Sequence, residues 1–300
     1  KGVEHKIVLK TESERIISFE IKGNNTVINS GGLGTFTVKK IRYIADINKA
    51  DKTILVLEKE NQLASHQTGR NSGVIHSGIY YKPGSYKALN CINGREQLLE
   101  FANKYQVEHD VCGKIIVATE EFELPALQRI YERGIANKID GISLIGPEEI
   151  KEIEPNCTGI KAIKVPAAGI INYVQFSEKL AEQVEAINPE SKLLLGTKVL
   201  GSKENDGHTI IETNKGEFQL DQVVYCSGLQ SDRMAVKDGA NLNMQIVGFR
   251  GDYYELSEKG KSKVKHLIYP VPDPDFPFLG VHFTRMIDGS VECGPNAVFS

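Results

Sequence analysis

The chain has 300 residues, 40% hydrophobic and 25% charged, the composition of an ordinary globular protein with room for one large or two ordinary domains. A formal net charge of −3 gives no basic field for nucleic acid, and no apolar run approaches the roughly 20 residues that span a bilayer. Five cysteines without a Cys-x-x-Cys pair read as reduced thiols in an intracellular protein, neither a disulfide framework nor a metal site.

In chain order, Lys6–Lys10 and Arg15–Ile21 alternate as strands, and a Gly23-Asn24-Asn25 turn leads to a third strand at Thr26-Val27-Ile28. Gly31-Gly32-Leu33-Gly34 precedes Thr35–Ile47, read as a helix, and Thr53–Glu58 follows as a buried strand, so the order is β-turn-α-β. Ser85–Tyr105 carries Leu98, Leu99, Phe101 and Ala102 at helical spacing. Gly113–Ala118 predicts a buried strand, Leu124–Asn137 a helix entered through Pro125, and Glu148–Glu154 a short helix stopped by Pro155. Tyr173–Ile187 predicts an amphipathic helix and Leu193–Glu204 a strand. A hairpin over Thr209–Leu220 leads into a strand through Val223–Cys226, and a helix begins near Ser231. From Met244 onward, short alternating segments predict a mixed sheet.

The segment after Thr53–Glu58 is the most informative. It holds Ser65, His66, Thr68, Gly69, Asn71, Ser72, Gly73 and His76 at close spacing. Glycine lets a backbone approach a large polar cofactor closely, and hydroxyls satisfy phosphate and ring heteroatoms. Upstream, Gly31 and Gly34 occupy the second and third positions of a G-x-G-x-x-G dinucleotide fingerprint. Asn29 stands where the first glycine belongs, and asparagine tolerates left-handed backbone angles. Glu58 lies 24 positions after Gly34, close to the distance expected of an acid that accepts a ribose hydroxyl. A plain glycine-rich turn explains the cluster by itself as well as a fingerprint does.

The stretch Leu57–Ser85 (LEKENQLASHQTGRNSGVIHSGIYYKPGS) resembles the second flavin-binding block of the L-2-hydroxyglutarate dehydrogenases, also called oxidases. These belong to the FAD-dependent amino-acid-oxidase and glycerol-3-phosphate-dehydrogenase superfamily. Leu267–Val298, Phe249–Leu256 and Val223–Asp232 resemble the same enzymes, so the likeness runs from about Ile54 to Ser300. The first fifty residues fit poorly. The resemblance implies an α/β fold with a discontinuous Rossmann-like FAD-binding domain over 24–90 and 165–235 and a mixed-sheet substrate domain over 91–164 and 236–300. Relatives continue into a closing strand and helix of the flavin domain, a C-terminal segment expected to be absent from this sequence.

The resemblance further implies that Lys59, His66, Thr68, Asn71, Ser72 and Gly73 lie along the flavin. Gly228 and the strand edge at Val199 are then expected at the adenosine half. An N-capped turn around Thr68 or Asn71 accounts for part of that pattern without a cofactor. Oxidising a secondary alcohol by flavin requires hydride transfer from carbon and removal of the hydroxyl proton. A neutral imidazole suits the second task. His76 and His282, each inside a family-like motif, are the candidate bases, whereas His5, His109, His208 and His266 read as ordinary structural residues. Arg250 and Arg285 are the candidate partners for the two carboxylates of a 2-hydroxy diacid, with Tyr81 beside them.

The expected reaction is oxidation of L-2-hydroxyglutarate to 2-oxoglutarate, with electrons passed to a quinone, an electron-transfer chain or oxygen. The family implies a cytoplasmic location with peripheral contact on an inner membrane. Two alternatives stay open: another substrate of the superfamily (an amino acid, an amine or glycerol 3-phosphate), and an impaired or truncated, non-catalytic flavin-fold protein.

Overall fold

The computed structural model describes residues 6–10, 16–22, 25–29, 35–38, 53–273 and 280–299. It opens with β1 (Lys6–Lys10), β2 (Ile16–Lys22), β3 (Asn25–Asn29) and β4 (Thr35–Val38), joined in that order as an antiparallel meander. Then follow β5 (Leu55–Leu57), a 3-10 turn at Gln67–Gly69, β6 (Val74–Ile75), α1 (Tyr86–Tyr105), β7 (His109–Asp110) and β8 (Lys114–Ala118). The middle of the chain holds α2 (Leu124–Ala136), β9 (Ser143–Ile145), α3 (Pro147–Ile153), β10 (Lys161–Val165), β11 (Gly169–Ile171), α4 (Tyr173–Ile187) and β12 (Lys192–Leu194). The remainder is β13 (Val199–Asn205), β14 (His208–Thr213), β15 (Gly216–Leu220), α5 (Ser231–Lys237), β16 (Phe249–Glu255), α6 (Glu258–Lys261), β17 (Leu267–Pro270), β18 (His282–Arg285) and β19 (Val291–Phe299).

A seven-stranded mixed sheet in the order β16-β19-β18-β17-β8-β10-β9 carries the core. β8 lies parallel to β17 and antiparallel to β10, and all five of its residues are buried. Successive residues face opposite sides. Ile116 and Ala118 pack with Ile163, Val165, Leu267 and Tyr269 under Leu127 and Ile130 of α2. Ile115 and Val117 pack on the other side with Ala162, Ile145 and Ile150 of α3. Each fully buried aliphatic side chain contributes about 1.5–3 kcal/mol. α2 approaches closely because residue 134 is glycine: a Cβ there would meet Ile142 Cδ1 at 2.5 Å and Ile79 Cγ1 at 3.1 Å.

Most predicted elements stand where expected, and α1 and α4 carry side-chain caps as well as apolar periodicity. Ser85 Oγ accepts the Ala88 N–H at 3.2 Å to start α1, and Asn172 Oδ1 accepts the Gln175 N–H at 3.0 Å to start α4. Three expectations need correction. Thr35–Val38 is not the start of a helix but a strand paired with β3, in keeping with its alternating Thr-Phe-Thr-Val. The β-turn-α-β reading therefore fails at this point; Gly31 and Gly34, and residues 39–47 of the expected helix, lie outside the described residues. Leu193–Glu204 is two strands, β12 and β13, broken at Gly196 (φ +61°), where a Cβ would meet Asn61 Oδ1 at 2.7 Å. Val223–Cys226 is not a strand, since no described strand lies beside it to share a ladder.

One buried carboxylate anchors the edge of β17 in the seven-stranded sheet. Glu154, wholly inaccessible after the end of α3, accepts the main-chain N–H groups of Lys265 (2.9 Å) and His266 (2.5 Å) and lies 2.9 Å from His266 Nδ1. It thus fixes the segment entering β17. Glu154→Ala strands these donors and is expected to lower unfolding stability by about 3 kcal/mol. Glu154→Gln keeps one acceptor oxygen and should lose less. Urea denaturation of the two variants checks the order, and an unchanged midpoint in Glu154→Ala would remove the clamp from the account.

Candidate flavin and substrate site

β5 and β12 form a parallel pair, and the chain leaves β5 at Glu58. Glu58 is held by its backbone: its N–H donates to the Leu194 carbonyl at 3.1 Å and its carbonyl accepts the Thr197 N–H at 2.7 Å. One carboxylate oxygen accepts the Glu60 N–H at 2.8 Å, and the other has no partner among the described residues. Beyond it, His66 Nε2 lies 2.7 Å from Glu60 Oε1 and 3.0 Å from Lys59 Nζ, and Lys59 pairs with Glu60. The hydrogen bond from Lys59, then that from His66, holds the Glu60 carboxyl below its ordinary range.

The 66–71 loop is exposed and organised by Asn71. Its Nδ2 donates to the carbonyls of Gln67 (3.1 Å) and Thr68 (2.7 Å), and its Oδ1 accepts the Gly73 N–H at 2.7 Å. The turn expected around Thr68 and Asn71 is thus present, and it occupies the polar atoms of Asn71. Ser72 follows, half-buried. Gly73 takes φ +63°, and its carbonyl accepts the Ile171 N–H at 2.8 Å, which fastens the loop to β11. Gly228, at φ +54°, faces this loop: a Cβ there would sit 3.4 Å from Gln67 Oε1. The Thr68–Gly73 segment and the Gly228 turn are therefore neighbours. Val199 opens β13 opposite Thr213, next to a bulge.

The chain then runs from β6 through His76 to Tyr81, along the start of β8. His76, Ser77, Gly78, Ile79, Tyr80, Tyr81 and Lys114 line one crevice. α2 holds this segment by its main chain: Asn137 Nδ2 donates to the Gly78 (3.3 Å) and Tyr81 (2.9 Å) carbonyls. Behind the crevice stands a column of rings around a cation. Lys114 Nζ lies 4.8 Å from the Tyr80 ring centroid and 4.6 Å from that of Tyr269. Tyr269 stacks on His282 at 4.2 Å, and Tyr253 meets the far side of His282 edge-on at 6.4 Å.

His282 is only 4% exposed. Its Nδ1 lies 2.9 Å from the Gly280 carbonyl, which can only accept, so Nδ1 carries the proton and Nε2 is the basic nitrogen. Burial, with a lesser contribution from the Lys114 charge, pushes the imidazole pKa below the ordinary 6.5. His282 is accordingly neutral at pH 7. His76 is exposed at the mouth of the crevice, and its carbonyl accepts from Cys91 Sγ at 3.4 Å.

The two arginines singled out in the sequence lie elsewhere. On β18, His282 and Thr284 face the column while Phe283 and Arg285 face away, and Arg285 pairs with Asp110 of β7. Arg250 is exposed and makes a two-pronged pair with Asp252, at 2.8 and 3.2 Å. Tyr81 lines the crevice with Lys87 Nζ 5.0 Å from its ring centroid. The cation that shares a face with His282 is Lys114, which motif reading passed over.

These features fit a flavin dinucleotide. One Glu58 carboxylate oxygen has no partner among the described residues, and Gly73 and Gly228 keep the backbone bare on both sides of an exposed turn. The buried hydroxyls of Ser77 and Tyr80 have no hydrogen-bond partner among the described residues. The fold is the α/β fold of FAD-binding oxidases. It is similar to L-α-glycerophosphate oxidase from Mycoplasma pneumoniae, a structure with FAD bound (TM-score 0.72, 26% identity, 81% of this chain and 65% of that one). Glycine oxidase from Geobacillus kaustophilus shares it too (TM-score 0.71, 16% identity, 85% and 68% covered).

The profile of the FAD dependent oxidoreductase family matches residues 44–300. L-2-hydroxyglutarate dehydrogenase of Indibacter alkaliphilus is 43% identical over 275 residues, which cover 91% of this chain and 67% of that protein. The mitochondrial enzyme of that name from Homo sapiens is 46% identical over 258 residues, covering 83% and 56%. The chain belongs to the FAD dependent oxidoreductase family, in the group that contains the L-2-hydroxyglutarate dehydrogenases. FAD is the cofactor of that family. The chain spans 56% of the human relative's length and 67% of the bacterial one's.

Asn71→Ala removes three hydrogen bonds that organise the loop between β5 and β6. Amide exchange at Gly73 should rise at least about tenfold, the effect of losing roughly 1.4 kcal/mol of local protection. Asn71→Asp keeps the acceptor for Gly73 and should exchange more slowly than Asn71→Ala. Exchange measured by mass spectrometry on peptides spanning 66–75 checks this.

Proposed function

We propose that the chain oxidises L-2-hydroxyglutarate to 2-oxoglutarate, with FAD, when bound, accepting the C2 hydride. The observation that carries this reading is His282: buried, neutral, with Nδ1–H given to the Gly280 carbonyl and Nε2 left to take the hydroxyl proton. Identities of 41–46% to proteins named L-2-hydroxyglutarate dehydrogenase support the choice of substrate. In this reading, segments 24–90 and 165–235 hold the cofactor, with Glu58 on the ribose, Thr68, Asn71, Ser72 and Gly73 along the pyrophosphate and ring, and Gly228 and Val199 at the adenosine. Lys59 and His66 flank Glu60 at that edge. Segments 91–164 and 236–300 cover the substrate, with His76 and Tyr81 at the crevice mouth.

Arg250 and Arg285 would serve the diacid only by leaving Asp252 and Asp110, so they suit its approach rather than the buried end of the site. The electrons leave to a quinone, an electron-transfer chain or oxygen. A quinone would require peripheral contact with a membrane; no helix among the described residues is long and apolar enough to cross one.

Anaerobic addition of L-2-hydroxyglutarate to the FAD-loaded chain should bleach the flavin, while lactate and glycerol 3-phosphate leave it oxidised. Equal bleaching by lactate would show that the second carboxylate is not read, and a chain that takes up no FAD from excess overturns the proposal. His282→Gln should keep the yellow colour and slow flavin reduction by about 10²–10⁴-fold. The base must be unprotonated, and its pKa is lowered from 6.5. As pH falls from 7.5 to 5, reduction should therefore decline at a lower pH than it would with an ordinary histidine as base. Stopped-flow traces over that range check the sign; a decline setting in above pH 7 would point to a different base.

A further inference from the structure

Lys114 is out of place for an ordinary lysine. It opens β8, is 2% exposed, and faces the same side as Ile116 and Ala118. No carboxylate pairs with it among the described residues. Its neighbours are the Tyr80 ring from the crevice loop and the Tyr269 ring from β17. Two aromatic faces stabilise an ammonium but carry no negative charge, and a buried cation normally has a counter-ion. Next to it on the crevice wall, the Tyr80 and Ser77 hydroxyls are buried with no hydrogen-bond partner among the described residues. Native structures leave few such groups unsatisfied. A cation and two unpaired hydroxyl donors along one opening form a site complementary to an anion with several acceptor oxygens.

We infer that Lys114, with the Tyr80 and Ser77 hydroxyls, binds a carboxylate of the substrate at the inner end of the crevice lined by His76–Tyr81. The inference rests on the proposed function, since it names the group that reads that substrate's acid. A carboxylate placed there supplies the missing countercharge, and its oxygens take up the Tyr80 and Ser77 hydroxyl protons. In the free protein, burial lowers the Lys114 pKa to about 8, with the Cys91 thiol of α1 a small opposing influence. Tyr80, Tyr269, His76 and His282 complete the titratable groups around it. Burial holds both phenols protonated, so neither is an anion near neutral pH. A bound carboxylate favours the charged amine and must raise its pKa. Binding therefore takes up a proton near pH 8 and weakens as pH rises further.

Glutarate, which has both carboxylates but no hydroxyl to oxidise, is the probe, titrated calorimetrically into the FAD-loaded chain. The parent should lose affinity by about tenfold per unit above pH 8 and take up about half a proton at pH 8, read from the buffer dependence of the heat. Lys114→Met keeps the length of the side chain and removes a buried charge. It should melt no lower than the parent, bind glutarate at least tenfold more weakly, and take up no proton. Parental glutarate affinity in Lys114→Met, or no glutarate binding to the parent, overturns the inference. If L-2-hydroxyglutarate still bleaches the flavin of Lys114→Met at unchanged half-saturation, the subsite falls and the proposed function stands. Glutarate binding that depends on Lys114 in a chain that L-2-hydroxyglutarate never bleaches leaves the subsite and removes the function.

Discussion

The parallel pairing of Lys114–Ala118 with Leu267–Pro270 joins two stretches far apart in the chain, and the face that carries His282 depends on its register. Because side chains alternate across a strand, that register decides which residues share a face. It puts Lys114 and Tyr269 together, and the antiparallel step to His282–Arg285 adds His282 and Thr284 to the same side. A slip of one residue would exchange His282 for Phe283 and Tyr269 for Ile268. The apolar packing on both faces of β8 forbids that slip, since it would turn Tyr269 away from Lys114 and into the cluster around Ile145 and Ile150. Glu154 adds a second lock by fixing the backbone just before β17.

Burial then sorts the titratable groups of this face into roles. It pushes the phenols of Tyr80 and Tyr269 upward, so they remain donors. It pushes Lys114 and His282 downward, and the Lys114 charge lowers His282 further. With Lys114 at about 8 and His282 below its ordinary value, the lysine is mainly charged at pH 7 while the imidazole is neutral. One cation and one neutral base thus stand in the same buried column, held apart by the Tyr269 ring. Their separation in pKa comes from the side-chain types, since the same burial acts on both.

How much of this could be read from sequence varied with the strength of the local signal. The helices over 86–105, 124–136 and 173–187 were legible because each combines apolar periodicity with a cap or an entry proline. The 35–38 strand was misread because a nearby glycine cluster suggested a fingerprint, although Thr-Phe-Thr-Val favours a strand by itself. Arg285 was chosen for its motif, yet the two-residue period that puts His282 and Thr284 inward necessarily turns Arg285 outward. Lys114 was missed because a lysine at the head of a strand is ordinarily solvated. The available signal was that Lys114-Ile115-Ile116-Val117-Ala118 is apolar on both faces after its first residue. A strand of that kind is covered on both sides, so its lysine must be covered as well.

The two halves of the site are also held by different forces. The 66–71 turn is exposed and kept in shape by Asn71 and a few main-chain hydrogen bonds, each worth about 1 kcal/mol. In the seven-stranded sheet, Ile116, Leu267, Tyr269 and their neighbours are close-packed, and α2 anchors the 78–81 backbone through Asn137. Opening free energy follows buried apolar area, so the turn opens more readily than the sheet. A large dinucleotide must enter along exposed backbone and can repay the ordering of such a turn with its own contacts. A small diacid offers far less binding energy and needs a site whose charge and donors are already fixed. In the proposed reading, the buried column around Lys114 would meet that need and the adaptable loop around Asn71 the other.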